Sequence, residues 1–391
     1  MNVTRVVVLG AGYAGLTAAN RLAGRLGETA SVTIVDPRGV FVDRIRLHEL
    51  AAGADESTVV HPLPRMLNPR VRVLHAQATR IRAAERQIEL ADATTVAYDE
   101  LVYAVGSGET VNSVPGAAEF ALQAAGLDGA RALRARLADR APGAAVLVIG
   151  GGATAVELSA ELATQTTAAV TIAAGSELLA GVSPAARQRA RTWLTRHGVT
   201  VLDDSRVASV DQGGALTDDG RRLDADLVVW AGTFAVPTLA RDSGLEVDGT
   251  GRLIVDASLR SLSDPSILGA GDACVLPEQP HLRMACATAL PQGAHAADVI
   301  AASVTGGPQP QFSLGYVFLC MSLGRRDGLV QFLTRDDRPR RIVLRSGLGA
   351  LVKESISRFA RGSVLAERRR AGAYRWLKLG GPAVRRELVH D

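Results

Sequence analysis

The chain has 391 residues, with 44 Lys+Arg against 40 Asp+Glu, 47% apolar residues, 40 Gly and three Cys; this suits two or three globular domains and excludes a disordered chain. No apolar run reaches the ~20 residues of a membrane span, and no secretion signal is expected because the first residues enter a strand pattern directly. The +4 charge is local: residues 335–391 hold 15 Lys+Arg and 6 Asp+Glu while residues 1–334 hold 29 and 34, which excludes the overall charge of a nucleic-acid-binding protein and points to a mildly acidic body with a basic tail, in a chain expected to be cytoplasmic from its isolated cysteines and lack of a signal.

Val6-Val7-Val8-Leu9 is a continuous apolar run, as expected of a parallel strand buried on both faces. Gly10-Ala11-Gly12-Tyr13-Ala14-Gly15 follows, then Leu16, Ala19 and Leu22 at helical spacing, and a second strand over 31–35 that ends on Asp36. This order is a dinucleotide fingerprint: a tight turn, a close backbone approach to pyrophosphate, a helix N-terminus aimed at phosphate and an acid for ribose hydroxyls. Residues 99–108 predict a strand and a Gly-rich crossing loop, and Val114-Pro115-Gly116 opens a passage into a second unit.

There the pattern recurs. Residues 145–149 lead into Gly150-Gly151-Gly152-Ala153-Thr154-Ala155, a helix through Val156, Leu158 and Leu162, and a strand over 169–172. A third element, residues 266–273, predicts a short strand, a Gly turn and an acid, Asp272, at a helix start. The fold class is therefore α/β, with two Rossmann-like domains: 1–112 and 253–312 form one, 113–252 is inserted into it, and 313–391 is a C-terminal region. In that region Leu348, Leu351, Val352, Ile356 and Phe359 form an amphipathic stripe interleaved with Lys353, Arg358 and Arg361. Such a helix packs on the body or docks on an anionic membrane surface; the size of the stripe favours packing. The three cysteines, Cys274, Cys286 and Cys320, form no C-x-x-C pair and no zinc pattern.

Through both glycine turns, Asp36, the 103–107 loop, Glu157 and Gly269-Ala270-Gly271-Asp272, the chain resembles the two-dinucleotide-binding-domain flavoproteins of the pyridine nucleotide–disulfide reductase superfamily, and within it the type II NADH dehydrogenase group. The resemblance implies an enzyme that passes hydride from NADPH or NADH through FAD to a quinone or another small acceptor. It implies FAD contacts from Gly10, Gly12, Tyr13, Ala14, Gly15, Asp36, Pro37, Arg44 and Ala78. Ala104, Val105, Gly106, Gly271, Asp272, Pro291 and Gln292 complete that set, and Gly150, Gly152, Ala153 and Thr154 would meet the nicotinamide nucleotide. Asp272 would contact the ribityl chain or simply cap a helix.

The resemblance also implies catalytic roles. Glu157 would transfer protons beside the stacked rings, or act only as a helix N-terminal acid. Residues 41–53 bring Arg44, Arg46 and His48, where the matching segment of the group is more apolar. At helical spacing Arg44 and His48 are i,i+4 neighbours, and the cations would favour reduced flavin. His48 is a proton donor, a covalent attachment point for flavin, or part of an ordinary helix.

Two departures leave alternatives open. Ala174 stands where NADH-using members carry an acid, which suits NADPH, or NADH held by other contacts with Glu177 standing in, or a weak nicotinamide site. In Cys286-Ala287-Thr288-Ala289-Leu290-Pro291-Gln292-Gly293, Ala287 and Pro291 replace two quinone-side glutamines, with Pro291 expected in the first helical turn. A flavin-dependent oxidase or dehydrogenase of a small metabolite, or a flavin-binding interaction protein, are the competing readings.

Overall fold

The computed structural model describes residues 3–109, 114–232 and 234–378; the expected boundary at 112/113 and residues 379–391 of the basic tail lie outside the described residues. Strand β1 (Thr4–Leu9), helix α1 (Tyr13–Leu26), strand β2 (Ala30–Val35), the short helix α2 (Leu47–Ala51), β3 (Arg72–Leu74) and β4 (Glu100–Tyr103) begin the chain. A second set follows: β5 (Ala121–Gln123), β6 (Ala145–Ile149), α3 (Ala153–Gln165), β7 (Ala169–Ala173), α4 (Pro184–Arg196), β8 (Thr200–Leu202) and β9 (Leu227–Trp230). After it come β10 (Ile267–Gly269), α5 (Cys286–Thr305), the strands β11 (Phe318–Leu323), β12 (Asp327–Leu333) and β13 (Pro339–Arg345), and α6 (Ser346–Arg369).

The first sheet has the order β10-β4-β1-β2-β3 and the second β5-β9-β6-β7-β8, and every pairing in both is parallel. The two sheets share a four-strand order, β4-β1-β2-β3 and β9-β6-β7-β8, and differ in the fifth, which comes last in the chain in the first sheet (β10) and first in the second (β5). The second sheet is built between β4 and β10, so β10 returns to the edge of the first sheet, which makes this a mixed α/β fold of two Rossmann-like sheets. Buried apolar runs such as Val6, Val8 and Leu9 explain why these strands lie inside: both of their faces are covered.

Helix α1 is sealed by α5, where Gly293 comes so close that an added Cβ would lie 2.2 Å from the Ala14 carbonyl oxygen. Leu16 and Leu22 are fully buried in this seam, each contributing roughly 1.5–3 kcal/mol. Arg21, 2% exposed, pairs with Glu367 at 2.7 Å and Asp298 at 3.0 Å and so ties α1 to α5 and α6.

The sheet β11-β12-β13 is antiparallel, and α6 lies across it. The apolar stripe foreseen on α6 divides: Val352 and Ile356 turn partly inward with Ala360 and Val364, whereas Leu348, Leu351 and Phe359 stay outside. No helix among the described residues is long and apolar enough to cross a membrane.

Candidate functional site

The first turn is made by backbone. Gly10 has φ +96° and an added Cβ would lie 2.4 Å from the Ala104 carbonyl oxygen, so only glycine fits between β1 and the Ala104-Val105-Gly106 loop. Gly15 is equally constrained, its Cβ position lying 1.9 Å from the Gly10 carbonyl oxygen, but over Gly12 and Gly106 the space is open. Helix α1 starts at Gly12 with no side-chain cap and no acid in its first turn, leaving its first amides, those of Tyr13 and Ala14 included, available to an anion. Asp36 at the end of β2 accepts the Ala11 and Arg38 N–H groups, both at 2.9 Å, with Pro37 exposed beside it. Ala78 begins a strand, Ala78–Arg82, of a separate antiparallel sheet that packs beside these residues.

The second turn repeats this geometry. Gly150 has φ +138° and would clash with the Ala231 carbonyl oxygen at 2.4 Å, Gly152 is open, and α3 begins with Ala153 and Thr154 without a side-chain cap. Ala174 is fully buried, and an added Cβ on Gly151 would meet its Cβ at 3.0 Å. Glu177, the acid that could have stood in, is paired with Arg187 instead.

Asp272 does not start a helix, contrary to the expectation from the Gly-Asp pair: it sits in a turn, and α5 begins only at Cys286. A capping role is thereby removed. Its carboxylate accepts the Ser107 hydroxyl at 2.6 Å, and Arg44 donates to the Ser107 carbonyl at 2.8 Å while standing 3.8 Å from Asp272. Gln292, 2% exposed, accepts the Gly271 N–H at 2.8 Å and so fixes the same turn. Pro291 is inside α5 and not in its first turn; it removes the backbone bond that the Ala287 carbonyl would have received.

Arg44 and His48 do not share a helix face. A tight single turn over Arg44–Arg46 precedes α2, so Arg44 reaches Ser107 whereas His48 is buried against β11. Arg46 meets Glu49 at 2.8 Å, Glu354 at 2.7 Å and Asp43 at 3.9 Å, and serves to bind this segment to α6. Tyr13 donates its buried hydroxyl to Asp43, whose other oxygen faces Arg46 at 3.9 Å and has no hydrogen-bond partner among the described residues.

His48, Glu157, Ser322 and Lys353 meet from α2, α3, β11 and α6. Glu157 Oε1 receives Lys353 Nζ at 2.8 Å and the Ser322 N–H at 3.0 Å, and the Ser322 hydroxyl lies 3.3 Å from it and 3.1 Å from His48 Nε2. Burial alone would raise the Glu157 carboxyl, but the charge of Lys353 and the nearby His48 outweigh it and hold Glu157 below the usual carboxylate range. Burial would likewise lower Lys353, and the Glu157 charge outweighs it and leaves the ammonium above its ordinary value. Burial pushes His48 below its ordinary value, against the pull of Glu157. At neutral pH the group is therefore carboxylate, ammonium and neutral imidazole.

Burial drives the Cys286 thiol up to about 11 and raises Cys320, so neither is a thiolate nucleophile. Ser322 and Lys353 were missed from the sequence. One signal existed: Lys353 is one of two lysines among 44 basic residues.

The sequence pattern of the family described as pyridine nucleotide-disulphide oxidoreductase matches residues 4–297. An NADH dehydrogenase-like protein of Mycobacterium tuberculosis (strain ATCC 25618 / H37Rv) is 32% identical over 320 residues, covering 75% of this chain and 79% of the relative. A type II NADH:quinone oxidoreductase of the same strain is 28% identical over 353 residues, with 78% and 73% covered. The structure of NDH2 from Plasmodium falciparum in complex with NADH has the same fold, with a TM-score of 0.77 at 16% identity, covering 95% of this chain and 99% of that one.

Proposed function

The chain belongs to the pyridine nucleotide-disulphide oxidoreductase family and is an FAD-dependent NAD(P)H oxidoreductase of the NADH dehydrogenase-like group, and from that premise we propose a division of labour between its two sheets. Residues 1–112 and 253–312 hold FAD, the inserted residues 113–252 hold the nicotinamide nucleotide, and a quinone or another small acceptor takes the electrons. The observation that carries this reading is the pair of uncapped helix N-termini, each behind a positive-φ glycine, on two parallel sheets that share a four-strand order.

The first turn suits FAD. The space above Gly12, Gly106 and Gly108 is open, and Asp36 keeps lone pairs beyond the two backbone N–H groups it accepts. When bound, FAD supplies the two-electron chemistry that joins a hydride donor to an acceptor. The chain's own part is holding and proton handling. Gly10, Gly12, Gly15 and the first α1 amides hold the pyrophosphate, and Asp36 holds ribose hydroxyls. Asp272, aligned by Ser107 and Arg44, takes hydroxyls of the sugar chain.

Glu157 Oε1, an ionised carboxylate fixed by Lys353 and Ser322, and neutral His48 Nε2, across the Ser322 hydroxyl, are the proton acceptors of the group, whose proton is held on Lys353 Nζ. Quinone reduction consumes protons, which gives such a group a purpose. Glu157→Gln should lower kcat for NAD(P)H-driven reduction of a soluble quinone analogue about a hundredfold; an unchanged kcat would remove Glu157 from the mechanism.

Ile342, Leu348, Leu351 and Phe359, 56–63% exposed beside Arg341, Arg345 and Arg358, support peripheral contact with an anionic membrane on its cytoplasmic side. Replacing Leu348, Leu351 and Phe359 together by Ser should abolish flotation with anionic liposomes; equal recovery would refute the contact.

A further inference from the structure

We propose that the second nucleotide site prefers the 2′-phosphorylated nicotinamide nucleotide, NADPH, and that Arg206 meets the 2′-phosphate; this rests on the reading that the inserted sheet holds the nicotinamide nucleotide. The two turns are in register. Gly10 N–H bonds the Val35 carbonyl at 2.9 Å and Gly150 N–H bonds the Ala173 carbonyl at 2.9 Å, so Ala174 occupies the place of Asp36. A carboxylate there accepts ribose hydroxyls and repels a 2′-phosphate. Ala174 does neither.

The surrounding loops supply a cation in its stead. The Ser205 N–H bonds the Ala174 carbonyl at 2.7 Å, locking the 203–206 loop onto the end of β7, and the Arg206 Cα lies 3.8 Å from the Cβ position of Gly175. Arg206 is 73% exposed, and its salt-bridge partner is Asp218, at a loose 3.9 Å. Its guanidinium is free to take a planar, bidentate grip on phosphate oxygens, next to the exposed Ser176.

The nearby acids do not oppose this equally. Glu177 is neutralised by Arg187, and Asp203 by Arg191. Asp204 remains: it is exposed, and its N–H lies 3.4 Å from the Ser176 carbonyl. If Asp204 served as the ribose acceptor, NADH would be the better donor.

The test uses the FAD-loaded full chain and two redox-inert probes, 2′,5′-ADP and 5′-ADP, titrated by calorimetry. The expected result is 2′,5′-ADP binding about tenfold or more tighter than 5′-ADP. Arg206→Ala should bring that ratio near one and Arg206→Lys should restore part of it, with flavin content unchanged. Asp204→Asn should leave 2′,5′-ADP binding equal or tighter. Equal or tighter binding of 5′-ADP by the native protein, an undiminished ratio in Arg206→Ala, or loss of 5′-ADP binding in Asp204→Asn would each overturn the proposal. Anaerobic mixing separates the two levels: faster flavin reduction by NADH defeats this inference alone, whereas reduction by neither nucleotide defeats the function proposed above.

Discussion

Gly10 and Gly150 make the same turn at the ends of equivalent strands, but the residues these turns face differ. In the first half Asp36 reaches back to the Ala11 amide and fixes a carboxylate at the rim of the site. In the second half Ala174 lies buried against Gly151 and the adjacent acid, Glu177, is held by Arg187. The turns also differ in tightness: the third glycine of the first, Gly15, leaves no room for a Cβ, whereas its counterpart Ala155 carries one, fully buried. The comparison separates two properties. A pyrophosphate cradle is made by backbone amides and open space, whereas the choice of sugar is made by one side chain at the next strand's end.

The largest effect that could break this comparison is expected at Gly15. Gly15→Ala places a methyl group 1.9 Å from the Gly10 carbonyl oxygen and should yield colourless protein that FAD does not restore. The reverse change in the second turn, Ala155→Gly, should retain nucleotide binding and cost only about 1 kcal/mol of stability. Flavin content after gel filtration reads the first, 2′,5′-ADP titration and the denaturant midpoint read the second, and a yellow Gly15→Ala protein would show that the first turn is not the tighter.

A smaller effect is expected where the halves meet the C-terminal helix. Lys353→Met leaves the charged, largely buried Glu157 (13% exposed) without its cation, at a cost of about 3 kcal/mol. Denaturant midpoints should fall accordingly, and the double variant with Glu157→Gln should recover most of the loss. A Lys353→Met protein as stable as the native one would mean that the ion pair does not form.

The smallest effect concerns acid stability. His48 titrates below its ordinary value in the folded chain, so the unfolded chain binds its proton first as pH falls. Stability from this group is present above about pH 6.5 and is lost between that pH and the lower folded value. Glu157, also depressed, adds a further loss near and below the ordinary carboxylate range. The melting temperature should therefore decline on acidification from neutral pH, and His48→Gln should flatten the part of the decline just below about pH 6.5; an unflattened profile would assign the loss elsewhere.

The glycine turns were legible in the sequence because each is local: strand, turn and helix lie within about twenty residues and the glycine positions follow from backbone contact. Asp36 and Ala174 were legible for the same reason. The group around Glu157 was only half legible. Glu157 and His48 stood out, but Ser322 is 165 residues beyond Glu157, and Lys353 arrives from a helix whose cations were read as membrane-facing or solvated charges. Such long-range pairing leaves no periodic trace. The misplaced residues share a cause as well. Asp272 after a glycine, Pro291 near a helix start, and Arg44 four residues before His48 were each read with a local rule, and in each case the chain turns differently: a loop after Asp272, an earlier start for α5, and a tight turn before α2.

Anaerobic mixing of the purified, FAD-loaded chain with NADPH and, separately, NADH tests most directly whether the two halves act on one another. The account predicts loss of the flavin absorbance at about 450 nm with both nucleotides, faster with NADPH. Flavin that stays oxidised with both would contradict it.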